Sequence, residues 1–167
     1  MNFQRYFISI TMIVCALSVS CFATQILKAL VVSGGEEHSL IIADTNEVFA
    51  AGDGSWGQLG TGDTDSQYAL VRVKKGQMST STGFLENITV ISAGWKHSIF
   101  LENDGRVLAC GNNLYGELGN GTDGASDYPV WVHAGEQNPS YPDSNLCNIV
   151  QVTAGRSGEH SLAVDAR

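Results

Sequence analysis

The amino-acid sequence predicts an all-β fold assembled from repeated four-stranded antiparallel units, and three observations carry that prediction. The stretch AGDGSWGQLGTG from Ala51 returns without a gap as CGNNLYGELGNG from Cys110, 59 residues further on. A second signature, small residues and Gly, a polar turn and then His-Ser, occurs as SGGEEHSLII from Ser33, SAGWKHSIFL from Ser92 and TAGRSGEHSLAV from Thr153. Between these signatures lie short apolar runs bounded by Gly, Asn and Asp, with no helical periodicity. Self-similarity at a fixed period is the mark of a repeat architecture.

The N-terminus stands outside the repeat. Arg5 is the lone charge before an apolar run from Tyr6 to Ala23, whose core from Phe7 to Val19 is short for a bilayer span. It ends on Cys21-Phe22-Ala23, a small-x-small cleavage pattern. Residues 1–23 are therefore read as a secretory signal peptide cleaved after Ala23, with an uncleaved anchor or a lipid-modified Cys21 as alternatives. Secreted, periplasmic or extracellular location follows from that reading. The 144 residues after Ala23 carry 8 basic and 17 acidic side chains, and no basic stripe that could displace counterions from a phosphate backbone. Nucleic acid is not an expected partner, and neither is a membrane once the signal is cleaved.

The first element of each unit is an apolar strand ending in Gly, followed by the turn before His38, His97 or His160. The second is the strand that these histidines open. A hairpin comes next: Asn103-Asp104-Gly105 sits between two apolar runs, and Gly accepts the positive φ of a tight turn. The first copy has Asn46 at the Gly105 position, and Asn is the next best residue in the left-handed region. The third strand runs into the glycine loop, where Gly52, Gly57, Gly60 and Gly62 align with Gly111, Gly116, Gly119 and Gly121 and Gly54 faces Asn113. Leu59 and Leu118 are its apolar anchors. The fourth strand is LVRV from Leu70 or PVWV from Pro129; proline lacks a backbone donor, which suits an outer edge. Variable polar segments lead to Asn87-Ile88 and Asn148-Ile149, which open the next unit.

Repeated four-stranded units of this kind are β-propeller blades. The units span about residues 31–89 and 90–150, with 151–167 the first part of a third. A closed ring of four blades at this period takes roughly 240 residues. The expectation is therefore an incomplete ring with open blade ends: a fragment of a longer product, an array that associates with its own copies, or a poorly capped one.

The succession VISAGWKHS, DGRV and CGNNLYGELGNG, together with AGDGSWGQLGTG, resembles the regulator of chromosome condensation repeat. The resemblance covers nearly the whole chain after Ala23. It implies a β-propeller, typically of seven four-stranded blades. The founding nuclear member of that family is a guanine nucleotide exchange factor that binds chromatin, and exported bacterial members include a propeller that inhibits β-lactamases by protein contact.

Candidate chemistry is sparse. His38, His97 and His160 fall on successive units, so they are read as structural, with the imidazole bonding neighbouring backbone, rather than as ligands converging on one metal. The following Ser39, Ser98 and Ser161 point to the opposite strand face and cannot serve as nucleophiles for the adjacent imidazole. The glycine loops carry no Gly-Lys-Ser/Thr and lead into no helix, so they are turns and not phosphate cradles. The acidic segments around Asp63 and Asp123 lack the terminal Glu of a calcium loop. Cys110 takes the place of Ala51 and reads as a small core residue, with pairing to Cys147 left open. No cofactor, no metal and no catalytic residue is expected. The candidate binding surface is aromatic: Trp95 in the turn before His97, either an anchor or a shield for the neighbouring blade, and Trp56 and Tyr115, which align in the glycine loops so that one of them mostly packs. The expected function is a secreted, non-enzymatic protein- or surface-binding module, or alternatively an inhibitor or exchange factor acting on an enzyme or GTPase, or a fragment without independent function.

Overall fold

The computed structural model describes residues 29–76, 83–135 and 144–166. The signal-peptide reading of residues 1–23, with Cys15 and Cys21, lies outside them. Among the described residues there are ten strands: β1 (Ala29–Gly34), β2 (His38–Ala43), β3 (Val48–Gly52), β4 (Gln67–Arg72), β5 (Ile88–Ala93), β6 (His97–Glu102), β7 (Val107–Gly111), β8 (Ser126–Trp131), β9 (Ile149–Ala154) and β10 (Ser161–Asp165). They form two four-stranded antiparallel meanders, β1 to β4 and β5 to β8, followed by the pair β9–β10. This is the all-β, four-stranded blade architecture that the repeat predicts.

The two blades share their register. His38 faces Gly52 and His97 faces Gly111, and both ladders slip just before that glycine. The hairpin turns match expectation: Asn46 has φ 64° where Gly105 has φ 83°. Asn87 and Asn148, at φ 64° and 61°, add a left-handed residue at each blade entrance. Their carbonyls accept Asn103 N and Ala166 N, so the bend ties each blade's first strand to its own hairpin.

Strand alternation decides where the core lies. Leu40, Ile42, Val48, Ala50, Leu59 and Val73 of the first blade pack on Ile91, Phe100, Leu108 and Cys110 of the second. The intervening Ile99, Leu101 and Val107 point the other way, against Leu146, Ile149, Val152 and Ala154. The middle blade is thus covered on both faces, and β7 is buried at every position. Full burial of Phe100 contributes about 2–3 kcal/mol to this joint. Outer strands β4 and β8 are more exposed, and Pro129 sits on β8, at the edge of its sheet. Cys110 is fully buried and unpaired with Cys147, which is exposed; burial raises the Cys110 thiol pKa strongly, so it stays an inert core thiol.

Candidate functional site

The joint between successive blades is held by a histidine–serine latch. His38 Nε2 lies 2.8 Å from Ser98 Oγ of the next blade, and Ser98 Oγ donates at 2.7 Å to Gln58 O of the first glycine loop. The hydroxyl has one hydrogen, and the carbonyl takes it. The imidazole must therefore donate from Nε2. The second joint repeats this: His97 Nε2 stands 3.1 Å from Ser161 Oγ, which donates to Glu117 O at 2.8 Å. The imidazoles thus bond a serine hydroxyl of the next unit, not neighbouring backbone. The same-strand argument that separates His97 from Ser98 also turns each serine toward the histidine of the preceding blade.

Burial sets the protonation of these rings. It lowers the His38 pKa to about 4, aided by nearby His97 and opposed by Asp53. The His97 pKa is lowered by burial and by His160, against the pull of Glu117. Both rings are neutral near pH 7, and at His38 donation from Nε2 with a buried, unpartnered Nδ1 requires it. Ser98 is fully buried and bonded on both sides, so its hydroxyl cannot meet a substrate. A parallel set of bonds runs alongside, with Ala93 N donating to Ser33 Oγ at 3.0 Å and Ala154 N to Ser92 Oγ at 2.9 Å. No group of metal-binding side chains occurs among the described residues.

Each glycine loop is closed by one carboxylate and one amide. In the first, Gln58 Nε2 donates to Asp53 Oδ2 at 2.7 Å and Trp56 N donates to Gln58 Oε1 at 2.9 Å. In the second the roles are exchanged: Asn112 Nδ2 donates to Glu117 Oε1 at 2.7 Å, and Tyr115 N donates to Glu117 Oε2 at 2.8 Å. Asp53 also accepts from Ser55 and Ser66, and hydrogen bonds from serine hydroxyls and Gln58 overcome burial to hold its carboxyl below the usual range. The glycines do more than turn the chain. At Gly57 a Cβ would stand 2.6 Å from Asp127 Cα of the next blade, so this glycine permits the close approach of β8.

These fixed loops carry the exposed tips. Trp56 tops the first glycine loop, while Trp95 and Lys96 form the β5–β6 turn, whose Lys96 carbonyl accepts Asn112 N at 2.9 Å. Lys96 Nζ lies 4.1 Å from the Trp95 ring centre and 4.8 Å from that of Trp56. Two indoles from successive blades thus hold one ammonium, with both rings half-buried. Tyr115 stands apart, 71% exposed, beside a groove of about 340 Å³ that Leu118, Val152, His160 and Leu162 help line. The sequence reading singled out the two tryptophans and missed Lys96. The repeat held a signal for it, because Glu37 and Glu159 precede His38 and His160 where Lys96 precedes His97.

Comparison with known proteins places this arrangement in a family. The regulator of chromosome condensation (RCC1) repeat model matches residues 45–101 and 104–164, and a second model of that repeat matches residues 88–117. The chain is 31% identical over 140 residues to the ultraviolet-B receptor UVR8 of Arabidopsis thaliana, covering 84% of this chain and 28% of the relative. It is 34% identical over 144 residues to the probable E3 ubiquitin-protein ligase HERC6 of Homo sapiens, covering 84% and 12% respectively. Over 90 residues it is 32% identical to the mouse secretion-regulating guanine nucleotide exchange factor, covering 53% and 18%. The chain therefore spans less than a third of the length of each of these relatives. The fold is also that of human WBSCR16, at a TM-score of 0.58 and 24% identity over 89% of this chain and 34% of that one. Prp20p of Saccharomyces cerevisiae superposes at a TM-score of 0.54 and 17% identity over 85% and 31%. With repeat matches across most of its length and the blade geometry to go with them, the chain belongs to the regulator of chromosome condensation (RCC1) repeat family.

Proposed function

We infer that this chain is a non-enzymatic protein-interaction module that binds through the loop face bearing Trp56, Trp95 and Lys96. The observation that carries this reading is the meeting of two indoles from successive blades on rigid, internally bonded loops. Large preorganised aromatics give contact area at low entropic cost and dominate the energy of protein interfaces. The family supports the reading in kind: Prp20p is described with binding properties to Gsp1p and histones, and yeast RCC1 has been solved bound to Kap60. A second reading, a regulator of the exchange-factor type, draws support from the likeness to the secretion-regulating exchange factor. Binding outside the cytoplasm is part of the proposal, motivated by the run Tyr6–Ala23, and N-terminal sequencing of the exported protein is expected to begin at Thr24.

The test is quantitative capture. The chain is immobilised, a cross-linked partner is recovered from the source organism, and binding is compared with the Trp56→Ser/Trp95→Ser double variant. The double variant is expected to weaken binding at least about tenfold. Equal binding by both proteins would place the interface elsewhere and defeat the proposal.

A further inference from the structure

Lys74, Lys96 and Arg156 have no carboxylate partner among the described residues, and Lys96 differs from the other two in being held by two rings, where Lys74 meets the single ring of Tyr128. Arg72 pairs with Glu47, Lys75 with Glu86 and Arg106 with Glu102 and Asp104. Lys96 is held by two ring faces and, among the described residues, by no carboxylate. An indole face attracts a cation without neutralising it, so the positive charge stays available to an anion. The rings also remove much of the entropy a free lysine loses on forming an ion pair, since the side chain is already positioned between them. The partly buried setting strengthens the attraction relative to open water.

The surrounding charge gives this spot a register. Glu37 and Glu159 occupy the same position in the flanking units, and the whole chain carries a net charge of −8. A partner carboxylate is therefore attracted at the central joint and repelled at the equivalent turn of the first unit, where Glu36 and Glu37 stand together. Apolar residues next to that carboxylate would meet Trp56 and Trp95, whose rings are only half-buried. We propose that the Trp56–Lys96–Trp95 cluster is a docking site for an acidic side chain of a partner protein, presented between apolar neighbours in an exposed segment. The cluster lies wholly within the first two blades. The inference rests on the interaction-module reading above and names the chemistry of its partner.

The test uses the full chain and two capped pentapeptides, acetyl-Ala-Leu-Glu-Leu-Ala-amide and its Gln analogue, followed by tryptophan fluorescence and calorimetry. The wild-type chain is expected to bind the Glu peptide saturably and at least about fivefold more tightly than the Gln peptide. Lys96→Met, which keeps the stem between the rings but not the charge, is expected to erase that difference, and Lys96→Arg to keep it. Unfolding midpoints of all three proteins confirm that folding is intact. The proposal is overturned if the Glu peptide shows no saturation up to about 10 mM. It is equally overturned if both peptides bind the wild type alike, or if the preference survives in Lys96→Met. Any of these three results leaves the interaction-module reading standing, because partner capture judges that reading independently.

Discussion

The glycine loop from Gly52 to Gly62 and the one from Gly111 to Gly121 share a backbone and differ at the tip. Their glycines adopt φ values of 116°, 82°, 63° and 79° in the first loop and 113°, 82°, 58° and 76° in the second. Their carbonyls receive the same serine latch, from Ser98 in one case and Ser161 in the other. Inside, Asp53 with Gln58 is exchanged for Asn112 with Glu117, which preserves one carboxylate and one amide. At the tip, Ser55-Trp56 becomes Leu114-Tyr115, and only Trp56 meets a cation. What both copies keep is the joint between blades. What they change is the surface offered to a partner.

The largest effect expected from breaking this comparison is at Gly57. Gly57 and Gly116 both have φ 82°, but a Cβ at Gly57 would meet β8 whereas nothing lies within 4 Å of one at Gly116. The left-handed strain is common to both, so the difference isolates the blade contact. Gly57→Ala is expected to cost about 3–4 kcal/mol and Gly116→Ala about 1 kcal/mol, by urea unfolding. Equal losses would show that the glycine serves the turn alone.

Acid should loosen the same joint. The folded-state pKa of His38 is about 4 against an ordinary 6.5, so the unfolded chain binds the extra proton first. The stability contributed by the neutral ring is complete above pH 6.5 and is lost as pH falls toward 4. The loss amounts to about 3 kcal/mol. His38→Gln can still donate to Ser98 but does not titrate, and should flatten that part of the profile. An unchanged slope would remove His38 as its cause.

Smaller losses of about 2 kcal/mol are expected from Ser98→Ala, which strands the imidazole N–H and leaves the Gln58 carbonyl with only the weak Cys110 thiol donor at 3.6 Å. Asn112→Asp alone sets a second carboxylate against Glu117 and should cost a similar amount; adding Glu117→Gln recreates the first loop's pairing and should recover at least about 1 kcal/mol. Additive losses in that cycle would contradict the exchange of roles.

Much of the fold was legible because the repeat compares the protein with itself. The hairpin residue Asn46 could be assigned from Gly105, and the edge position of Pro129 from its missing N–H. The left-handed Asn87 and Asn148 were not, since both copies carry the same residue and no glycine replaces it to reveal the conformation. The latch escaped because the pairing runs between units, over 60 residues from His38 to Ser98, while sequence reasoning weighed only the adjacent His97 and Ser98. Asn113 takes the place of Gly54 in the alignment of the two loops, which assigns its side chain no task. Instead its side chain accepts Leu118 N at 2.9 Å and donates to Thr122 O at 2.7 Å, organising the loop from within. Of the site, the two tryptophans could be found from their turn positions. Their convergence on Lys96 depends on how blades stack, which spacing along the chain does not encode.

The division between joint and surface is tested most directly by measuring partner affinity and unfolding midpoint together for Lys96→Met. A weakening of affinity by about tenfold, with stability altered by less than about 1 kcal/mol, is the predicted result. Unchanged affinity, or a loss of stability as large as that of Ser98→Ala, would make the Trp56–Lys96–Trp95 cluster part of the blade joint and contradict its assignment as the binding surface.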